Sequence, residues 1–264
     1  MHFEKVLINN KNELLKYKSL IFELFYNCFN KLIENELWEW AYIANPNGSP
    51  VVSLYFHGDK LIGHYAVIPL KLALQGVEVN AALSMTTMVD KSYRKYGTFV
   101  SQANEVYEEV EKLGYQLVYG FPNKNSAPGF AKRLDWVIEK NMYVAKFNYE
   151  TLIDLPIRNS YSKSITFNTN DEKNLSWRLS KPDQTYFKKG NNIIKKFDNG
   201  YDIVFSDIDY SALDKDKEYN LFLEHEMDKH IDKKVFDYMF GYRVFDQSIG
   251  EIEFKKDLIL SDLF

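Results

Sequence analysis

The stretch Thr86-Thr87-Met88-Val89-Asp90-Lys91-Ser92-Tyr93-Arg94-Lys95-Tyr96-Gly97-Thr98-Phe99 joins an apolar run to a long amphipathic pattern. Between them lies a short polar turn holding Arg94 and Gly97. A turn that feeds a helix start directs several backbone N–H groups outward with no partner inside the helix. The helix dipole adds partial positive charge there, so the place suits a phosphate or pyrophosphate. An ordinary Arg-Gly turn ahead of a helix is the competing reading, and the flanking pattern separates the two.

Downstream, Thr98 to Leu113 reads as a helix with Phe99, Val100, Ala103, Val106, Tyr107, Val110 and Leu113 on one face. Gly114 stops it, and Gln116 to Gly120 reads as a short strand. A helical crossover makes that strand parallel to the one ending at Val89 and puts the turn at the C-terminal edge of the sheet. Upstream, Val51–Phe56, Leu61–Ile68, Leu70–Leu74 and Val77–Val89 read as an antiparallel meander with turns at 57–60 and Gln75-Gly76. Residues 11 to 33 show helical spacing, and aromatic Leu37–Tyr42 ends at the turn Asn45-Pro46-Asn47-Gly48.

Beyond Gly120, residues 121–129 break regular structure. A short helix near Phe130–Leu134 and one strand over Trp136–Phe147 follow. Polar residues 154 to 174 read as a linker or boundary. The remainder gives strands at Ile193–Phe197, Asp202–Ser206, Tyr219–Leu223 and Ile252–Phe254, with a helix between Glu226 and Phe240. No internal repeat and no second Arg-x-x-Gly turn is visible in the sequence.

The chain has 264 residues, 45% of them hydrophobic, enough for one large or two modest domains with a sizeable core. Nineteen Tyr and nineteen Phe read first as core residues. A net charge of -4 with no basic stripe argues against a duplex-binding protein. Cys28 is the single cysteine, which precludes an internal disulfide and fits a reducing compartment. Its helix-like apolar surroundings make it a buried structural thiol. No segment approaches the ~18 apolar residues of a membrane span, and no targeting pattern opens the chain. A soluble cytoplasmic protein is expected.

The order of helix, antiparallel strands, Arg-x-x-Gly turn, helix, strand and Asn-containing loop resembles the GNAT superfamily of acyl-CoA-dependent N-acyltransferases over residues 1 to 150. Val89 to Phe99 looks like the family's pyrophosphate loop. Arg94 and Gly97 match its pattern, while Phe99 replaces a small residue and Lys95 stands where Gly is common. Tyr119 to Ser126, followed by Phe130, resembles the next motif, with Asn123, Ser126 and Phe130 in its three positions. Trp38 to Pro46, Gly63-His64-Tyr65 and Ile68-Pro69 resemble a subgroup with an extra C-terminal half, several members of which modify surface polysaccharides and amino sugars.

The resemblance implies an α/β (α+β) fold: a mixed, mostly antiparallel sheet flanked by helices, with a smaller α/β C-terminal half. It divides the chain into an acyl-CoA-binding domain at 1–153 and a degenerate GNAT-like half at 154–264 for the acceptor or for dimerisation. It implies acetyl-CoA as co-substrate, held by Met88, Val89, Arg94, Lys95, Tyr96, Gly97, Thr98, Phe99, Asn123, Ser126 and Phe130. An N–H near Met88 or Val89 would face the thioester oxygen, a contribution typically worth about 3 kcal/mol. The family often has a Tyr where Phe130 stands, to protonate the leaving thiolate; here Tyr119, Tyr143 or water would substitute, or the thiolate leaves unassisted. His64 is the candidate base, since imidazole titrates near neutral pH, with Glu139 and Asp90 behind it. His225 and His230 beside Glu224, Glu226 and Asp228 lack a metal-ligand spacing, and no metal is expected.

The expected activity is transfer of an acetyl group to a primary amine of a small molecule, an amino sugar or nucleotide-linked amino sugar first. A peptide or amino-acid N-acetyltransferase, and a non-catalytic acyl-CoA-binding module, are the alternatives. No nucleic-acid partner is expected; a homodimer is compatible with the C-terminal half.

Overall fold

The computed structural model describes residues 2–155, 163–224 and 233–261. The chain opens with β1 (Glu4–Ile8), α1 (Lys11–Leu15), α2 (Lys18–Phe29) and α3 (Asn35–Tyr42). The meander follows as β2 (Val51–His57), β3 (Lys60–Leu74) and β4 (Val77–Val89). Gln75 and Gly76 both take positive φ, 53° and 80°, the hairpin turn whose twist matches that of the strands. The expected strands 61–68 and 70–74 are one strand, β3, running through Pro69. That proline lies between the end of the β2 register at Val67 and the start of the β8 register at Leu72.

A 3₁₀ turn (Lys91–Tyr96) leads into α4 (Thr98–Lys112), and β5 (Leu117–Gly120) returns parallel to β4. Then come α5 (Ala127–Arg133), β6 (Val137–Glu139), β7 (Met142–Asn148) and α6 (Tyr149–Ile153). The C-terminal part supplies β8 (Ser164–Phe167), α7 (Glu172–Arg178), β9 (Tyr186–Lys189), β10 (Asn192–Phe197), β11 (Gly200–Phe205) and β12 (Glu218–Glu224). It ends with β13 (Lys233–Asp237), β14 (Phe240–Val244) and β15 (Glu253–Phe254).

Three local expectations are corrected. Trp136–Phe147 is two strands, and β6 and β7 go to different sheets. Within 154–174, Ser164–Phe167 is a strand because Ile165 and Phe167 bury against the far end of β3, and α7 starts at Glu172 under an Asp171 cap. Between Glu226 and Phe240 the described residues 233–237 form β13 rather than a helix. Its five residues are all exposed, so no buried face marked its period. Residues 225–232, with His225, Glu226, Asp228 and His230, lie outside the described residues.

The first sheet runs β1-β2-β3-β4-β5-β14-β6, with β8 on the far end of β3 and β15 beside β8. The second runs β13-β7-β12-β11-β10-β9. Besides the parallel β8–β15 pair of the first sheet, one parallel pair in each sheet has the same setting: β4–β5 followed by β14, and β11–β12 followed by β7. β7 leaves the first sheet to enter the second, and β14 does the reverse, so both sheets draw strands from either side of residue 153. Trp40 of α3 and Trp177 of α7 repeat this reciprocity. Their rings stack at 4.8 Å, and each indole N–H donates to the other's carbonyl, at 2.8 and 2.9 Å.

Both faces of the first sheet are covered. Ile21, Leu24, Trp38 and Tyr42 of α2 and α3 join one large core, while Ala103, Val106, Tyr107 and Val110 of α4 pack with Tyr65, Val67 and Val118 in another. Full burial of such a side chain is worth roughly 1.5–3 kcal/mol. A third core of Tyr143, Phe147, Ile194 and Tyr219 belongs to the second sheet. Among the described residues no helix is long and apolar enough to cross a membrane.

Candidate active site

β4 and β5 keep register only from Ala81↔Leu117 to Ser84↔Gly120. Beyond that pair β5 ends and β4 continues, so the strands open into a wedge. Gly120 leaves the apex open: a Cβ there would crowd the Ser84 carbonyl oxygen at 3.1 Å. A bulge widens the wedge. His64↔Met88 and Ala66↔Met85 are consecutive registered pairs, so Thr86 and Thr87 together oppose Tyr65. Thr86 takes φ +52°, a strained conformation for a β-branched residue.

His64 braces that strain. It is fully buried, and its Nδ1 lies 2.8 Å from the Thr86 carbonyl. A carbonyl only accepts, so Nδ1 carries the proton. Burial pushes the imidazole pKa down to about 4, so the ring is neutral at physiological pH. Its Nε2 is buried with no hydrogen-bond partner among the described residues. This environment suits a positioning residue that shapes the wedge better than a base open to substrate.

A cavity of about 350 Å³ occupies the wedge. Ser84 to Thr87 form one wall, Gly120 to Asn123 the other, and Phe29, Ser126, Phe130, Trp136 and Tyr238 complete it. The β4 wall is thus Ser84–Thr87, whereas Met88 and Val89 are buried and paired with His64 and Gly63. Asn123 Oδ1 accepts from the Asn125 and Ser126 amides, and Ser126 Oγ accepts from the Asn123 amide at 3.1 Å, so the two side chains close the turn that leads into α5. Phe130 packs on Phe99 and Trp136, with centroids 5.1 and 4.4 Å away.

Tyr119 and Tyr143 are fully buried and line no part of this cavity. The Tyr119 hydroxyl donates to the Leu260 carbonyl at 3.1 Å, and Tyr143 belongs to the core of the second sheet. Glu139 pairs with Lys256 at 2.6 Å. Cys28 is half-buried, and burial raises its thiol pKa. Tyr238, missing from the sequence reading, arrives on the segment between β13 and β14, stacked on Phe121 at 4.7 Å, its hydroxyl bonded to Ser261. No local signal in the sequence could place a residue so distant along the chain beside Gly120.

The polar turn lies farther along β4. Asp90 accepts from the Ser92 amide at 2.9 Å and pairs with Lys60 at 2.7 Å. Arg94 Nε donates to the Val89 carbonyl at 3.1 Å, bracing the turn. Gly97, at φ +72°, caps α4 without any side-chain hydrogen bond to the helix. The amides of the first helical turn therefore have no internal partner. A Cβ on Gly97 would meet nothing within 4 Å, so the approach is open. Lys95 and Tyr96 are exposed beside it, and Thr98 is buried with its Oγ1 unpartnered among the described residues.

Residues 16–138 match the family model described as the acetyltransferase (GNAT) domain. A conserved protein of unknown function from Enterococcus faecalis V583, titled a probable N-acyltransferase, superposes with a TM-score of 0.64 at 11% identity, covering 94% of this chain and 74% of its own. A GCN5-related N-acetyltransferase from Kribbella flavida gives 0.61 at 12%, covering 93% and 73%. A putative acetyltransferase from Pyrococcus horikoshii gives 0.55 at 13%, covering 98% and 94%. The chain has a GNAT-like fold. No curated protein matches it in sequence. The domain match supports an acetyltransferase enzyme, and the wedge and the Gly97 turn lie inside the matched stretch.

Proposed function

We propose that this protein transfers an acetyl group from acetyl-CoA to a primary amine of a small molecule, with the reacting atoms in the wedge between β4 and β5. One observation carries the reading: a parallel pair that parts at Ser84 and Gly120 and continues into a helix start left open by Gly97. The free amides at the start of α4, from Thr98 onward, offer an anion site for a pyrophosphate beside Lys95 and Tyr96, with Gly97 allowing close approach. The unpaired β4 edge beyond Ser84 offers main-chain groups to a pantetheine arm. Acetyl-CoA supplies an activated carbonyl; the protein holds it and the amine together, an effect worth several kcal/mol.

An amino sugar is the acceptor class best supported. Phe29, Phe121 and Tyr238 give the cavity aromatic faces, and Thr86, Thr87 and Asn123 bring hydrogen-bonding groups beside them. That pairing suits a ring with one apolar face and a rim of hydroxyls. Titration with acetyl-CoA, followed by thiol release with a panel of amino sugars, amino acids and peptides, tests the reading. Gly97→Trp is expected to weaken CoA binding about 100-fold in a folded protein, because the indole occupies the anion's place. Unchanged affinity in a folded Gly97→Trp variant would sink it.

A further inference from the structure

A line of buried donors runs through the core beneath α4 and ends in the cavity. Trp136 Nε1 lies 2.9 Å from the Tyr107 hydroxyl, Tyr107 lies 2.8 Å from the Tyr65 hydroxyl, and Tyr65 lies 2.8 Å from Ser84 Oγ. Tyr65, Tyr107 and Trp136 are buried; Ser84 is partly exposed and lines the cavity at its apex.

The direction of this line follows from counting protons. An indole N–H only donates, so the Tyr107 oxygen accepts. The Tyr107 proton then points at Tyr65, because the opposite arrangement leaves it without an acceptor in a dry core. The Tyr65 proton in turn points at Ser84 Oγ. Ser84 receives a hydrogen bond from behind and keeps its own proton for the cavity. Each bond in such a chain polarises the next.

We propose that Ser84 donates a hydrogen bond to the sulfur that departs during acetyl transfer, and that Trp136, Tyr107 and Tyr65 are positioning residues that aim its hydroxyl. This rests on the cavity being the transfer site. Aromatic rings favour sulfur as their neighbour, and Phe130 and Trp136 line the cavity with Ser84 while offering it no proton. Of the other lining hydroxyls, Ser126 accepts from the Asn123 amide and donates to the Asn123 carbonyl, and Tyr238 is bonded to Ser261. Thr86 and Thr87 line the cavity too, but among the described residues no buried donor aims their hydroxyls.

As the amine nitrogen bonds to the carbonyl carbon, the C–S bond breaks and its electron pair goes to sulfur. The nitrogen's surplus proton passes to water, and sulfur later takes a proton from water. Ser84 keeps its proton throughout and stabilises the charge on sulfur. Burial raises the pKa of both Tyr65 and Tyr107, so both phenols stay neutral and the line acts as a fixed dipole rather than a proton relay.

The thiol of CoA itself is the probe, and it needs no acceptor. Thiolate absorbance is followed against pH for CoA bound to the wild type, Ser84→Ala and Tyr65→Phe, with circular dichroism to check folding. The bound thiol is expected to titrate about one pH unit lower on the wild type than on Ser84→Ala, with Tyr65→Phe between them. Equal CoA affinity with equal thiol titration on the wild type and Ser84→Ala overturns the proposal and leaves the acetyl-transfer reading standing. No binding of CoA to the wild type removes that reading, and the proposal with it.

Discussion

The two sheets share one plan, yet of the β4–β5 and β11–β12 pairs the first opens into a wedge and the second does not. In the first, the last registered pair is Ser84↔Gly120, and the absence of a side chain on Gly120 leaves space at the apex. In the second, it is Asp202↔Asn220. There Asn220 Nδ2 donates to Asp202 Oδ1 at 2.7 Å, and the buried Lys195 ammonium lies 3.0 Å from Asp202 Oδ2. Polar side chains bond across three strands and fill the place that Gly120 leaves empty. The connections differ too. β4 feeds a fifteen-residue helix through Gly97, whereas residues 206–217 after β11 hold turns and no helix. Without a helix start there is no row of free amides for an anion. Strand order therefore does not distinguish the two crevices; two local choices, a glycine at the apex and a helix after the turn, do so.

That contrast can be broken at either end. Asp202→Ala leaves Lys195 buried without its carboxylate and is expected to cost about 3–5 kcal/mol in urea denaturation, with CoA affinity unchanged in the folded fraction. A large loss of affinity would mean the second crevice takes part in binding.

His64 comes next. Its folded pKa, about 4, lies below the ordinary 6.5, so the unfolded chain binds the proton more readily. The stability this withholds is fully present above pH 6.5 and is lost as pH falls toward 4, by about 3 kcal/mol. His64→Asn should flatten that part of the stability–pH curve; an identical slope in both proteins would show that another group is responsible. Gly97→Trp follows, at about 100-fold in CoA affinity. Calorimetry of the wild type should also give one CoA per chain, and two would erase the distinction between the crevices. The smallest change is Lys60→Ala. Its exposed pair with Asp90 stabilises by less than about 1 kcal/mol, and thermal melts should barely move.

Most of the first sheet was readable along the chain. The hairpin turns, α4 and the short parallel strand leave local marks: glycines at positive φ, an apolar stripe at helical spacing, and a helix stop at Gly114. The exchanged strands leave none. β7 reads as a continuation of β6, and nothing in Trp136 to Phe147 says that the chain changes sheets between them. His64 reads as a base because its residue type titrates near neutrality. Only burial and the Thr86 carbonyl make it a brace.

Local sequence settled where the open helix start lies, because a glycine before a helix start is a property of neighbouring residues. Folding alone settled the shape and lining of the cavity. The wedge exists because β5 stops where β4 goes on, Tyr238 reaches it from more than a hundred residues away, and the line from Trp136 to Ser84 joins the segment before β6 to three separate elements. Contacts between distant residues carry no periodic signature, so they become visible only when the strands have paired.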